Sequence, residues 1–443
     1  MSSVISFVIL LSILVVVHEW GHYFVGRRAG VRVLRFSIGF GPELVGFTRS
    51  GTRYSLSLIP FGGFVKFAGF SEDEADTTGA PDEYLSRGLL TRSAIILAGP
   101  VMNYLLAILI YAAVFAFIGV EVITTTRIGQ VAPGSRAEQM GVRADDVLRS
   151  VNGVAIEDWD GFTNELVRVG AGGRLELEVE RGGELVDLTG SAPDSAGFDR
   201  TLLGVSPFGE AVVGYVRRGG PAWNTGLRSG DRIISLDGQS IDRWSRMRQI
   251  ILEHPAEELA VVWEHEGQTF GGTITPKEIV VEQAGAEPDT VGQVGIQQAV
   301  ARHKLNAVAA LVAGWQRTWW LTQRVVSFVP SIPRIIYNHY FKGERADGLG
   351  GPVRLAQLSG EAAQWGLGTF LSLMALLSCQ LAIFNLLPIP ALDGGHLALH
   401  VIEVLTRRPP TPRVKLALQQ LGFAIIILLM LSVTVMDITR LFG

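Results

Sequence analysis

The sequence predicts a multi-pass α-helical membrane protein with four spans, a β-rich loop after the first span and a duplicated α+β module outside the membrane. Three observations carry this expectation. Four apolar runs are long enough to cross a bilayer. The stretch between the first two alternates like strands and is punctuated by glycine. Residues 129–166 recur at 214–251 with a constant offset of 85. Composition agrees, since 48% of the 443 residues are hydrophobic, only 18% are charged and mean hydropathy is positive. The net charge of −4 leaves no basic footprint for nucleic acid. Cys379 is the only cysteine, so an intrachain disulfide and thiolate zinc clusters are excluded, and its apolar surroundings suit a small packed side chain.

Residues 1–30 form the first element. Val4–Gly26 is an apolar run of 23 residues, about 34 Å as a helix. No basic residue precedes it and no small-residue cleavage site follows, so it reads as a retained span. Arg27, Arg28, Arg32 and Arg35 come next, which places the N-terminus outside and the following residues in the cytoplasm. In residues 31–70, the alternation of Tyr54–Ile59 predicts a strand and Gly62-Gly63 a turn. Two readings fit this segment: a hairpin dipping into the membrane beside the first span, or a cytoplasmic β-hairpin with no catalytic part. Residues 71–92 form a cytoplasmic loop whose acidic stretch, Glu72–Glu83, reads as mobile. Ser93–Val120 is the second span.

Residues 121–300 then fall outside and carry 28 acidic against 16 basic residues. The repeat divides them into modules at 121–208 and 209–300. Each reads as a strand, a short helix (Ser135–Met140; Pro221–Thr225), a turn, and an apolar strand ending in Asn152-Gly153 or Asp237-Gly238. Those closing pairs favour tight hairpin turns. Both modules resemble PDZ domains of the permuted bacterial type. The resemblance implies capture of extended peptides, often by their C-termini, or a spacer and size filter where the grooves are closed.

Residues 301–366 hold Leu305–Val329, apolar but interrupted by Gln316, Arg317, Gln323 and Arg324 and rich in tryptophan. This pattern predicts an amphipathic helix lying on the outer membrane surface. Residues 367–395 contain the third span, Leu367–Leu387. Residues 396–415 form a connection whose Arg407, Arg408, Arg413 and Lys415 place it in the cytoplasm, and residues 416–443 contain the fourth span, Leu416–Met436.

The chemistry concentrates in two of these spans. His18 and His22 lie one helical turn apart and can grip one metal ion, while Glu19 sits one position round, placed to act as general base on a water. Three such side chains inside hydrocarbon are costly, which argues for function. A catalytic zinc takes three protein ligands. The third candidate is Asp393, at the end of the third span on a segment that Pro388 and Pro390 keep from being regular helix. His396 is its rival, and an N-cap role is the plain alternative for Asp393. A membrane metal transporter, or a PDZ scaffold with an inactive site, are the competing functions.

These residues carry a family resemblance. His-Glu-Trp-Gly-His at 18–22, Asn385-Leu386-Leu387-Pro388-Ile389-Pro390-Ala391-Leu392-Asp393-Gly394-Gly395, and Ala98-Gly99-Pro100-Val101-Met102-Asn103 together resemble the site-2 protease family of intramembrane zinc metalloproteases. Phe36–Pro42 and Pro60–Lys66 resemble that family's membrane-reentrant β-loop. The resemblance implies Zn2+ held by His18, His22 and Asp393, with Glu19 catalytic and Asn385, Pro388 and Pro390 binding substrate. It further implies a bacterial inner-membrane enzyme with two tandem PDZ-like domains in the periplasm and its site toward the cytoplasm. The implied substrate is a single-span membrane protein already trimmed outside, such as an RseA-like anti-sigma factor in envelope-stress signalling, with remnant signal peptides as a second class.

Overall fold

The computed structural model describes residues 3–70, 78–170, 172–192, 203–281, 289–342, 350–408 and 411–442. Half of the acidic stretch expected to be mobile, residues 72–77, lies outside them. The chain forms two compact units, residues 1–119 with 304–443, and residues 120–303.

The first unit opens with α1 (Ser3–Arg28), followed by β1 (Val33–Arg49), β2 (Thr52–Phe67) and α2 (Leu89–Ala113). Among the described residues four helices are long and apolar enough to cross a membrane: Ser3–Arg28, Leu89–Ile118, Leu367–Asn385 and Arg413–Ile438. They coincide with the four expected spans, the second starting four residues earlier than Ser93. Glycine sets how closely α1 and α2 approach, because a Cβ on Gly21 would lie 2.4 Å from the Ala98 carbonyl oxygen.

The β-loop turns at Ser50-Gly51, where both residues have positive φ (49° and 79°), as a tight hairpin requires. Gly62-Gly63 lies within the residues of β2, and the chain turns back there as expected: Arg53–Leu56 run parallel to Arg35–Ile38 and Gly63–Lys66 run antiparallel to them, with Gly62 at φ 123°. The reversal lets each strand serve twice. Arg35–Ile38 pair on one side with Gly63–Lys66 and on the other with Arg53–Leu56, while Glu43–Arg49 pair with Thr52–Ser57. Gly63–Phe67 is thereby the outer strand of the β-loop, laddered to β1.

The second unit contains the repeat. Its first half comprises β3 (Val120–Val122), β4 (Ile128–Val131), α3 (Arg136–Gln139), β5 (Val147–Val151), β6 (Val154–Ala155), α4 (Trp159–Val169), β7 (Arg174–Arg181), β8 (Glu184–Ser191) and β9 (Val205–Pro207). Its second half comprises β10 (Val213–Val216), α5 (Pro221–Thr225), β11 (Arg232–Leu236), β12 (Gln239–Ser240), α6 (Trp244–Glu253), β13 (Leu259–His265), β14 (Gln268–Ile274), β15 (Lys277–Val281), β16 (Asp289–Gln293), β17 (Ile296–Gln298) and β18 (Ala301–His303). The sheets match in order, β6-β5-β7-β8 against β12-β11-β13-β14, and β4-β9 against β10-β17. Asn152-Gly153 and Asp237-Gly238 both take positive φ, as a hairpin turn needs. Shared identities have shared jobs: Asp146 and Asp231, each 1% exposed, accept the backbone N–H of Arg143 and Arg228 at 2.8 and 2.7 Å.

One difference between the repeats joins them. Asp158 caps α4 by accepting from Gly161 N at 2.7 Å, whereas Arg243 stands at the matching position and makes no cap. Arg243 reaches Asp145 of the first repeat at 3.0 Å and the Gly129 carbonyl at 3.2 Å, and its guanidinium shares the Phe208 ring with Arg127. Partial burial pushes the Asp145 carboxyl up, but hydrogen bonds from Arg243 and Arg127 outweigh it and hold the group below its usual range. A depressed carboxyl adds stability above its unfolded value of about 3.9 and loses it as pH falls through the lower folded value. Arg243→Ala is therefore expected to broaden the distance between spin labels on the two repeats at pH 7. The wild type should broaden only below about pH 4. An unchanged distribution in the variant would rule out this contact as the fastener.

The first unit resumes with α7 (Ala307–Phe328), α8 (Ile332–Lys342), α9 (Pro352–Gln364), α10 (Leu367–Asn385), α11 (Asp393–Thr406) and α12 (Pro412–Phe442). The helix expected to lie flat on the membrane surface forms as α7 but packs lengthwise against two spans. Ala310, Gly314, Thr318, Leu321 and Val325 make one small, buried face. Leu321 and Val325 join Ala107 and Tyr111 of α2 and Ala375, Cys379 and Ile383 of α10 in one core. A Cβ on Gly314 would lie 2.7 Å from the Ile108 carbonyl oxygen, so only glycine permits the approach. The residues that suggested a surface helix occupy the opposite side: Trp315, Trp319 and Trp320 are exposed, and Arg317 and Arg324 lie over the Trp320 ring.

Candidate active site

Helical geometry on α1 brings His18 and His22 to one face, where both are buried, at 8% and 7% exposure. Their Nε2 atoms are 3.2 Å apart. Asp393 Oδ2 lies 3.2 Å from His18 Nε2 and 3.5 Å from His22 Nε2. Metal–ligand bonds of 2.0–2.1 Å in a tetrahedron give ligand-to-ligand edges of about 3.3 Å. The three atoms therefore fit one zinc-sized ion. Asp393 Oδ2 is also buried without a satisfactory hydrogen-bond partner, which is costly unless a cation takes its charge. Among the described residues this is the one group of His, Cys, Asp or Glu side chains arranged to hold a metal. The further ligands that a transporter would line along its spans are not found there.

The loop that delivers Asp393 explains the glycines beside it. Leu386–Leu392 doubles back onto the start of α11, which begins at Asp393 itself, with Leu392 as N-cap. A Cβ on Gly394 would lie 2.2 Å from the Leu387 carbonyl oxygen, and one on Gly395 would lie 2.4 Å from that of Ile389. Ala391 takes φ 89°, a conformation costing about 1–3 kcal/mol for a residue with a side chain. Two prolines, two close-packed glycines and a strained alanine thus turn one carboxylate toward the histidines.

Glu19 shares a cavity of about 360 Å³ with the three ligand candidates, Asn385 and the outer strand of β2. The Val65 backbone N–H donates to the Glu19 carboxylate. A Cβ on Gly63 would lie 2.7 Å from the Ser37 carbonyl oxygen, so glycine is what lets this strand pack so closely on β1 beside Glu19. Asn385 Nδ2 lies 3.5 Å from His18 Nε2. Pro388 and Pro390 do not line the cavity; Pro390 packs against Gly422 of α12, its carbonyl leaving no room for a side chain there. His396 borders the cavity edge-on to Phe70, at 5.7 Å between ring centres, and stands outside the ligand group.

Sequence reading missed what α2 contributes. His22 Nδ1 donates to the Ile95 carbonyl at 2.8 Å, which leaves Nε2 free for a metal. Gly99 faces both rings, and a Cβ there would lie 2.3 Å from His22 Nε2 and 2.8 Å from His18 Cε1. The signal was the Ala98–Asn103 motif, legible as a pattern but silent about which face it presents. Gly99→Ala is expected to displace both rings and weaken zinc retention by about 100-fold or more, at the upper end for loss of a supporting partner. Unchanged zinc content after dialysis against a chelator would contradict this packing.

The model of peptidase family M50 matches residues 6–429. The chain is 33% identical to protease RseP of Yersinia pestis, with 99% of each chain covered, and 32% identical to the regulator of sigma-E protease RseP of Escherichia coli, with 98% of each covered. It is 31% identical, over the whole of both chains, to a Neisseria meningitidis protein that bears a zinc metalloprotease name. Among solved structures, the PDZ domain of an SdrC-like protein of Listeria monocytogenes matches at 19% identity, covering 21% of this chain and 90% of its own, with a TM-score of 0.17.

Proposed function

This chain belongs to peptidase family M50, the site-2 proteases, and is a zinc metalloprotease, and from that premise we propose that it cuts single-span membrane proteins in or beside their transmembrane segment. The observation that carries the reading is the meeting of His18, Glu19, His22 and Asp393 in one cavity, with both histidines and the glutamate on a helix of membrane-spanning length. The substrate is one already trimmed outside. Because relatives are named for regulation of sigma E, an RseA-like anti-sigma factor is the first substrate class and remnant signal peptides the second.

A helical substrate hides its carbonyls in i to i−4 hydrogen bonds and must unwind before water can attack. The strand segment Gly63–Val65 borders the cavity and pairs with β1, and an unwound substrate segment adds along its other side as a further strand. Val65 N–H already reaches Glu19, so the added segment runs beside the base. His18, His22 and Asp393 would hold the zinc, which when bound would supply Lewis-acid polarisation of the scissile carbonyl and a more acidic attacking water. Glu19 takes the proton from that water at its carboxylate and hands it to the leaving amine nitrogen. Asn385 steadies the substrate from the opposite wall, which Pro388 and Pro390 keep irregular.

The β1–β2 sheet acts as a membrane-reentrant element in this reading. Leu44, Val45, Phe47, Leu56 and Leu58 are exposed apolar side chains on a sheet that pairs its own backbone, both suited to hydrocarbon. The arginines after α1 and in the last connection favour the inner membrane with the site toward the cytoplasm and the acidic repeat unit in the periplasm. There the two repeats act as tandem PDZ-like domains that receive the trimmed C-terminal end of the substrate. A reconstituted assay tests the proposal. Two glycines placed in a model substrate span each weaken its helix by about 1 kcal/mol and should raise cleavage about tenfold. Cuts confined to soluble tails, or rates indifferent to helix strength, overturn it.

A further inference from the structure

Asn103 is 0% exposed on the second span, and its Oδ1 is buried without a hydrogen-bond partner. A buried amide at this depth costs stability that leucine would not, so something must require it. Its Nδ2 position lies 3.4 Å from His18 Nδ1, while its backbone carbonyl accepts from Ser378 Oγ at 2.8 Å. Ile95, Gly99 and Asn103 recur every fourth residue along one face of α2 and form the back wall of the ligand group. Ile95 holds the far nitrogen of His22, Gly99 leaves room for both rings, and Asn103 meets the far nitrogen of His18.

The requirement follows from the ring. To offer its Nε2 lone pair to a metal, neutral His18 must carry its proton on Nδ1, and that N–H needs an acceptor. Amide oxygen and nitrogen exchange places by a half-turn about the last side-chain bond with almost no change in shape. Resting on the metal-site reading above, we propose that Asn103 is a positioning residue, whose side-chain oxygen accepts from His18 Nδ1–H and so holds the ring in its metal-binding tautomer and orientation. His22 obtains the same service from a backbone carbonyl, which no substitution can remove. His18 depends on a side chain, so the two ligands differ in how mutable their support is.

The test uses the full-length protein in detergent, reading zinc retained through a chelator titration alongside thermal unfolding. Asn103→Leu should weaken zinc retention about 10–100-fold. Asn103→Asp, which can only accept, should stay within about threefold of wild type. Ser378→Ala disturbs the same helix junction without touching the amide and should retain zinc normally. The proposal is overturned if Asn103→Leu holds zinc like wild type, if Asn103→Asp is as poor as Asn103→Leu, or if Ser378→Ala loses zinc equally. Should Asn103→Leu fail to give a monodisperse protein, Asn103→Ala carries the same comparison without added bulk. His22→Phe is the separate control, because wild-type zinc in that variant sinks the metal-site reading itself rather than the role of Asn103.

Discussion

Glu19→Gln is expected to keep its zinc and lose peptide-bond cleavage by about 10³-fold or more. The substitution preserves shape and the contact with Val65 N–H, because the amide oxygen still accepts. In the proposed mechanism it removes the group that takes a proton from water and returns it to the leaving nitrogen. Its carboxylate does not belong to the ligand group, which consists of His18, His22 and Asp393. Metal content and turnover should therefore separate in this variant, whereas His22→Phe should lose both. Metal analysis and product mass spectrometry on the same preparations decide the matter. A Glu19→Gln protein that cleaves at the wild-type rate removes Glu19 from the mechanism.

Exchanging the two rival third ligands should give opposite results. Asp393→Ala removes an oxygen 3.2 Å from His18 Nε2 and 3.5 Å from His22 Nε2. Zinc affinity should fall by more than the roughly 10–100-fold that attaches to losing an outer partner, and activity should fall with it. His396→Ala removes a ring that stacks edge-on against Phe70 and lies outside the ligand group. Its zinc content should match wild type. Equal zinc loss in both variants would mean that the loop before α11 is being disturbed rather than a ligand removed.

The spans were legible because hydrocarbon demands an unbroken apolar helix, and the four runs show it without reference to any partner. The repeat was legible because Asp146 and Asp231, like the Asn-Gly and Asp-Gly turns, do the same local work twice. Local reading failed where long-range pairing decided the outcome. Gly62-Gly63 marks a reversal of the chain, yet only the register reveals that Gly63–Lys66 return to the opposite side of Arg35–Ile38 from Arg53–Leu56. The α7 segment looks like a surface helix, yet its stripe of small residues is matched to α2 and α10, a fit that no property of the segment alone reports.

For the candidate site the division is similar. Residue type and the four-residue spacing on a helix determined that His18 and His22 share a face and that Glu19 does not. The acid at the end of the third span was visible as an anomaly. Only the tertiary structure decided that Asp393 rather than His396 completes the group, because the choice depends on how the loop 386–392 folds back over two glycines. It also decided that α2 supplies the back wall, through Ile95, Gly99 and Asn103. The physical reason is that a metal site is defined by distances of about 3 Å between segments hundreds of residues apart. A sequence states which side chains exist, and packing alone states which of them meet.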